Sequence, residues 1–169
     1  MISVQVDNVN GVIASFKGYE REAAKAVKRA VDITAMELQA DAKKILNSHL
    51  QTFQTKGTKW KYKKGEYKRT GTAVRSIQVQ KTNTGELSSD LGPLDAAVGS
   101  NLKYAPYWEF GIGDFVDIMP GWEDIAIQFK GKKKVHGFRG ASFLGKATVN
   151  QAKKFMERVY NELAKIKMG

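Results

Sequence analysis

Apolar and polar residues alternate through Ile2-Ser3-Val4-Gln5-Val6, the period-two pattern of a short strand with one buried face. After a turn-rich stretch at residues 7–11 the period changes. From about Val12 to about Leu50, Phe16, Tyr19, Ala23, Val27, Ala30, Thr34, Leu38, Ala42 and Ile45 recur in steps of three or four. Lys25, Lys28, Arg29, Glu37, Asp41 and Lys44 lie largely off that stripe. The spacing predicts one long amphipathic helix, with Gly18 placed to break or kink it near its start. Residues 51–69 fit no single period. They are polar, basic and punctuated by Gly, with Phe53, Trp60, Tyr62 and Tyr67 interleaved, and read as a long loop within the domain.

Thr70-Gly71-Thr72 opens a single helical turn that runs to Ser76. Residues 77–81 alternate and predict a strand, residues 82–92 are turn-rich, and residues 96–99 predict a returning strand. Residues 111–114 read as a turn, and the partial alternation of residues 123–130 predicts a further strand. A second basic loop reaches Gly140. A final helix then opens at residues 141–144 and runs to about Ile166, with Leu144, Ala147, Thr148, Ala152, Phe155, Val159, Leu163 and Ile166 on its apolar stripe. Strands gathered between two helices predict an α+β fold. A long N-terminal helix and a C-terminal helix pack on one face of a small antiparallel sheet, in one domain spanning residues 1–169 with long basic loops.

Charge changes this picture most when it is located. The chain carries a formal net charge of +11. Residues 56–69 account for +6 of it and residues 130–139 for +5, so the rest of the chain is neutral. Such concentration points to a directed electrostatic role, toward a polyanion or an acidic protein surface. Lys59, Lys61, Lys63, Lys64 and Lys68 in the first stretch, and Lys132, Lys133 and Lys134 in the second, are the candidate contacts to DNA or to an acidic partner. The alternative function is therefore a basic nucleic-acid-binding protein that touches phosphates without reading sequence. Only six of the 28 basic residues are Arg, the side chain that dominates bidentate base readout. A solvated or edge-guarding charged loop is the plainer reading of residues 130–139.

There is no cysteine, which excludes a disulfide framework and thiolate metal ligation. His49 and His136 stand far apart. Asp114, Asp117, Glu123 and Asp124 match no cation loop, so they read as solvated or as partners of a basic patch on a neighbouring subunit. No phosphate-loop, dinucleotide or catalytic pattern is present, so neither cofactor nor metal nor enzymatic activity is expected. The N-terminus shows no secretory pattern and no apolar run is long enough to span a membrane. The expectation is a protein made in a cytoplasm.

The most informative stretch is Tyr104-Ala105-Pro106-Tyr107-Trp108-Glu109-Phe110-Gly111, with four aromatics in seven residues and one carboxylate. Large rigid aromatics with few charges serve cores and protein–protein hot spots. Tyr104 and Phe110 are assigned to the core. Tyr107, Trp108 and Glu109 are assigned to a subunit or partner interface, together with Trp60, Tyr62 and Phe143. Glu109 can also be read as a buried, hydrogen-bonded carboxylate.

Three separated segments resemble one known family. Arg69-Thr70-Gly71-Thr72-Ala73-Val74-Arg75-Ser76-Ile77 is similar to its "basic, Thr-Gly, x-Leu, x-x-Ser-Ile" segment. Val98-Gly99-Ser100 with the aromatic run resembles its "Val-Gly-Ser/Thr … Tyr-Ala … Glu-Phe-Gly" block. Arg139-Gly140-Ala141-Ser142-Phe143-Leu144-Gly145-Lys146-Ala147 resembles its "Arg-Pro-Phe-Leu-x-x-Ala" entry to the last helix, with Ser142 where the family carries Pro. The family is the neck and tail-completion group of tailed bacteriophages, also described as minor tail or virion morphogenesis proteins. The resemblance implies a non-enzymatic α+β subunit of the virion, assembled in the bacterial host cytoplasm. Such subunits form a ring, usually a hexamer, at the head–tail junction or tail terminus. The implied partners are further copies of itself, the connector or stopper, the tail tube or terminator proteins, and the DNA in the channel.

Overall fold

A computed structural model of the chain describes residues 2–5, 20–55, 61–62, 65–66, 71–81, 87–88, 90–113, 116, 121–129 and 138–166. In chain order the elements are β1 (Ile2–Gln5), α1 (Glu20–Thr55), β2 (Lys61–Tyr62), β3 (Gly65–Glu66), α2 (Thr72–Arg75), β4 (Ile77–Gln80) and β5 (Ala97–Ser100). They continue with α3 (Ala105–Phe110), β6 (Gly111–Ile112), α4 (Glu123–Ala126), a 3-10 turn at Ile127–Phe129, β7 (Phe138–Arg139) and α5 (Phe143–Leu163). The expected α+β class is what the chain adopts.

The 36 residues of α1 span about 54 Å at 1.5 Å per residue. In a folded protein most of the stability of such a helix comes from packing of its apolar face. Its buried positions are mostly small: Ala23, Ala26, Ala30, Ala35 and Ala42 interleave with Val27, Val31, Leu38, Leu46 and Leu50. Small side chains let the helix sit close to its neighbours. Glu20 and Glu22 in the first turn complement the helix dipole. The expected stripe is followed as far as Ala42, Ile45 is only half-buried, and positions 12–19, with Gly18, lie outside the described residues.

α5 is the main partner of α1. Rising numbers on α1 meet falling numbers on α5, so the two run antiparallel. Arg29 pairs with Glu162 at 3.0 Å, Arg158 with Glu37 and with the Thr34 hydroxyl, and Gln151 donates to Asp41 at 2.6 Å. Arg158 also donates to Gln151 at 2.7 Å. Gln151 is buried in this seam, and Ala152, expected on the apolar stripe, is exposed. Each polar group in the seam has a partner, which is the condition for burying it at low cost.

Three strands pair antiparallel in the order β1-β5-β4. Val98 joins the helix-side core, while Ala97 on the opposite face is covered by Leu87 and Leu91. The period-two geometry of a strand explains that split. Gln80 holds this cover in place, accepting from the Leu87 and Ser88 backbone N–H groups. At the end of the sheet the Ser76 and Ser100 hydroxyls meet at 2.7 Å. They join the first two family-like segments.

Residues 123–129 are not the strand that their alternation predicts. They form α4 and the 3-10 turn, because the buried positions are Ala126 and Phe129, three apart. Of the basic stretch 56–69, the described part is the two-residue hairpin pairing Lys61 with Glu66 and Tyr62 with Gly65. Residues 130–137 lie outside the described residues.

Candidate interaction site around the aromatic helix

The aromatic run folds as the short helix α3. Pro106 lies in its first turn, where a missing N–H leaves no bond unmade and the ring presets φ. Gly111 ends the helix at φ 84°, a conformation costly to any residue with a Cβ. The chain then leaves along β6, which pairs with β7 so that Gly111 faces Arg139 and Ile112 faces Phe138. The pairing continues past the strand ends. Ala141 donates to the Trp108 carbonyl at 2.6 Å and Ser142 to that of Glu109 at 3.0 Å.

Gly140 lies at the tightest point of this clasp. A Cβ there would sit 2.2 Å from the Glu109 carbonyl oxygen and 2.5 Å from the Phe110 carbonyl carbon. Only glycine lets the two backbones approach so closely. Ser142 follows at φ 48°, a left-handed conformation that proline cannot adopt. The departure from the family-like Pro at this position therefore has a backbone cause.

The side chain of Ser142 does not cap α5. Glu109 does so from 35 residues away in the chain. Its Oε2 accepts from the Leu144 N–H at 2.9 Å and its Oε1 from the Gly145 N–H at 3.0 Å. These N–H groups have no partner within the helix, and the positive end of the helix dipole favours a carboxylate there. Burial raises the Glu109 carboxyl above its ordinary range. The N–H groups of Gly145, Leu144 and Phe143, and Lys146 beyond them, partly offset that rise. Lys146 itself donates to the Ala141 carbonyl at 2.9 Å. On the other side His49, near the end of α1, bonds the Arg139 backbone. Burial first, and Lys146 second, hold its imidazole below the usual range.

These positions correct part of the expected division. Glu109 is 2% and Phe143 1% exposed, so both side chains are committed inside the subunit and present no surface to a neighbour. Tyr104, expected in the core, is 40% exposed, because it precedes the helix and lies outside its packed face. Phe110 is buried as expected, stacking on Phe129 at 5.6 Å and tilting against Trp122 at 5.7 Å. Tyr107 meets Phe129 edge-on at 5.1 Å and stays half-exposed, as does Trp108. The contribution of Phe129 was hidden in the segment 123–130 predicted as a strand, and Trp122 lies just before it. The side chains of Lys61 and Tyr62 lie outside the described residues, as do Trp60, Lys59, Lys63, Lys64, Lys68, Lys132, Lys133 and Lys134.

What the arrangement offers is a rigid platform. α3 is pinned to α5 by a carboxylate, to residues 141 and 142 by backbone hydrogen bonds and to Trp122 and Phe129, on either side of α4, by ring contacts, with Tyr104, Tyr107 and Trp108 at its edge. Among the described residues no group of three or more His, Cys, Asp or Glu is placed to hold a metal ion, and no helix is long and apolar enough to cross a membrane.

A family model described as "Bacteriophage HK97-gp10, putative tail-component" matches residues 10–111, from the approach to α1 to the end of α3. Comparison with curated proteins and with solved structures gave no match.

Proposed function

The chain belongs to the HK97-gp10-like family of bacteriophage tail components, and from that premise we propose that it is a structural, non-enzymatic subunit of the virion. It forms a ring at the head–tail junction or tail terminus, completing the tail and joining it to the head connector around the DNA channel. The observation that carries this reading is the family match over residues 10–111, which takes in α1, strands β4 and β5 and the aromatic helix. The chemistry of the run agrees with it. Glu109 is its only carboxylate, and both oxygens are occupied by backbone N–H groups, leaving aromatic edges suited to packing against protein.

A ring subunit needs a stiff body that carries contact surfaces at fixed angles. The long α1 braced by α5 supplies such a body. The test is to locate the chain in purified virions with a gold-labelled antibody against it. Label at the neck or tail end is expected, and virions without the chain overturn the proposal. DNA-facing lysines would make any particle-free DNA binding fall steeply with salt.

A further inference from the structure

α5 has a second face that the fold of the subunit leaves uncovered. Its first face meets α1 through Gln151, Arg158 and Glu162. About a third of a turn away, Val149, Ala152, Met156 and Tyr160 follow one another in steps of three and four, along one side of the helix. Val149 is 49%, Met156 46% and Tyr160 65% exposed, and Ala152 is exposed between them. Lys153 and Glu157 stand exposed along one flank of this stripe, one turn apart, and neither has an ion pair among the described residues. The face thus carries both signs of charge beside an apolar centre, which is what a surface needs to pair with itself. Ile125 and Ile127 form another exposed apolar group, but Glu123 and Asp124 precede it in α4, so two copies of that group would repel.

We propose that the outer face of α5 packs antiparallel on the same face of a second copy of the chain. Complementarity selects both the occupant and the register. A two-fold axis crossing α5 between Lys154 and Phe155 sets Val149 against Tyr160 of the second copy, and Met156 against Ala152 and the stem of Lys153. Ala152 leaves room for the facing Met156. In an antiparallel pair equal flanks meet, so Lys153 of each copy comes beside Glu157 of the other, twice per pair. A parallel pair brings opposite flanks together and makes neither contact. The one register that buries the stripe is therefore also the one that neutralises its charges. The contact lets a chain of net charge +11 approach itself at a surface that is locally balanced. It is isologous and does not depend on the head-to-tail contacts that a ring uses.

The chain has no cysteine, so introduced thiols report the contact directly. Under mild oxidation an equimolar mixture of the Val149→Cys and Tyr160→Cys full chains is expected to form a covalent dimer. Each variant alone is expected to form little, because like positions then stand about 16 Å apart along the pair, beyond disulfide reach. Reciprocal charge reversal gives a second readout. A contact this short belongs to the weak class, so association is followed by sedimentation up to about 0.5 mM chain. Lys153→Glu and Glu157→Lys should each weaken association of the full chain at least about fivefold, since like charges meet at both sites. Their equimolar mixture should recover it, because two carboxylates of one copy then face two ammonium groups of the other. Met156→Ser with Tyr160→Ser should weaken association while leaving the urea midpoint nearly unchanged. A wild type monomeric throughout, single-cysteine variants that cross-link as well as their mixture, or a charge mixture that stays dispersed would each overturn the contact. Virion labelling is read separately: labelled tails with no mixed cross-link reject only this pair, whereas unlabelled virions reject the tail-subunit reading itself.

Discussion

Replacing Glu109 isolates the long-range cap from the packing around it. Alanine leaves the Leu144 and Gly145 N–H groups buried without an acceptor, at about 1–3 kcal/mol each. Part of that is offset because a buried carboxylate no longer has to be desolvated. The net expected loss is about 2–4 kcal/mol, at or above the top of the range for ordinary helix caps because this one is buried and bidentate. In a chain of this size that lowers Tm by roughly 5–15 °C. Glutamine separates bonding from volume. It fills the same space, yet its one carbonyl oxygen keeps one N–H while its amide nitrogen turns a donor toward the other. A loss of about 1–3 kcal/mol is expected for Glu109→Gln in urea unfolding followed by circular dichroism. A Gln variant within about 0.5 kcal/mol of wild type would show that the carboxylate merely fills space.

The same pair of proteins carries a pH signature. Burial raises the Glu109 carboxyl above its ordinary 4.5 in the folded chain. The folded state therefore holds this proton to higher pH than the unfolded state does. The stabilising contribution of the group is full below 4.5 and is lost as pH rises through the folded value. Glutamine cannot titrate. The stability difference between wild type and Glu109→Gln should thus be largest in acid and shrink as pH rises from 4.5. A difference that grows over that window would mean that the helix N-terminus outweighs desolvation, and would refute the assignment.

Gly140→Ala should cost about 3 kcal/mol or more, seen as a collapsed urea midpoint or insoluble protein, since its Cβ would meet backbone rather than a movable side chain. Ser142→Pro, which restores the family-like residue, should destabilise by at least about 2 kcal/mol, because it forbids φ 48° and removes the N–H donated to Glu109, whereas Ser142→Gly should be neutral or stabilising. His49 titrates below its ordinary 6.5, so its contribution is present above 6.5 and lost as pH falls beneath it; the wild-type midpoint should drop from pH 7 to 5.5 by more than that of His49→Gln. Trp108→Ala, at the half-exposed edge of α3, should remain folded at 25 °C yet reduce incorporation into virions by at least about tenfold.

The two long helices were legible because each buries a stripe of its own residues, and periodicity reports that directly. What the helices meet is not periodic. The off-by-one burial at Gln151 follows from Asp41, 110 residues away on α1, and from Arg158 further along α5, whose hydrogen bonds make a glutamine a better seam residue than the alanine beside it. The cap on α5 was half legible. A lone carboxylate among aromatics can be read as buried, but its donors lie 35 and 36 residues on, and no local pattern links them to it. Gly140 and Ser142 needed the close approach of two backbone segments to acquire their meaning. The family-like segments are therefore joined by tertiary contacts, Ser76 to Ser100 and Glu109 to Leu144, that hold the subunit together.

The misread strand at residues 123–130 is the more instructive case. Ile125, Ile127 and Phe129 alternate, which is what a half-buried strand requires. The fold instead buries Ala126 and Phe129 and leaves both isoleucines in water. Period-two reasoning assumes that every large apolar residue serves the core of its own chain. Here that assumption fails at two positions either side of Ala126, just after the carboxylates of Glu123 and Asp124, which have no ion partner among the described residues. A residue that misleads a fold prediction by being apolar and exposed is one whose burial must come from elsewhere. The site at which folding logic fails on this chain is thus also where its surface is most in need of a partner. The aromatic run, which first suggested docking, supplies the rigid mount beneath it.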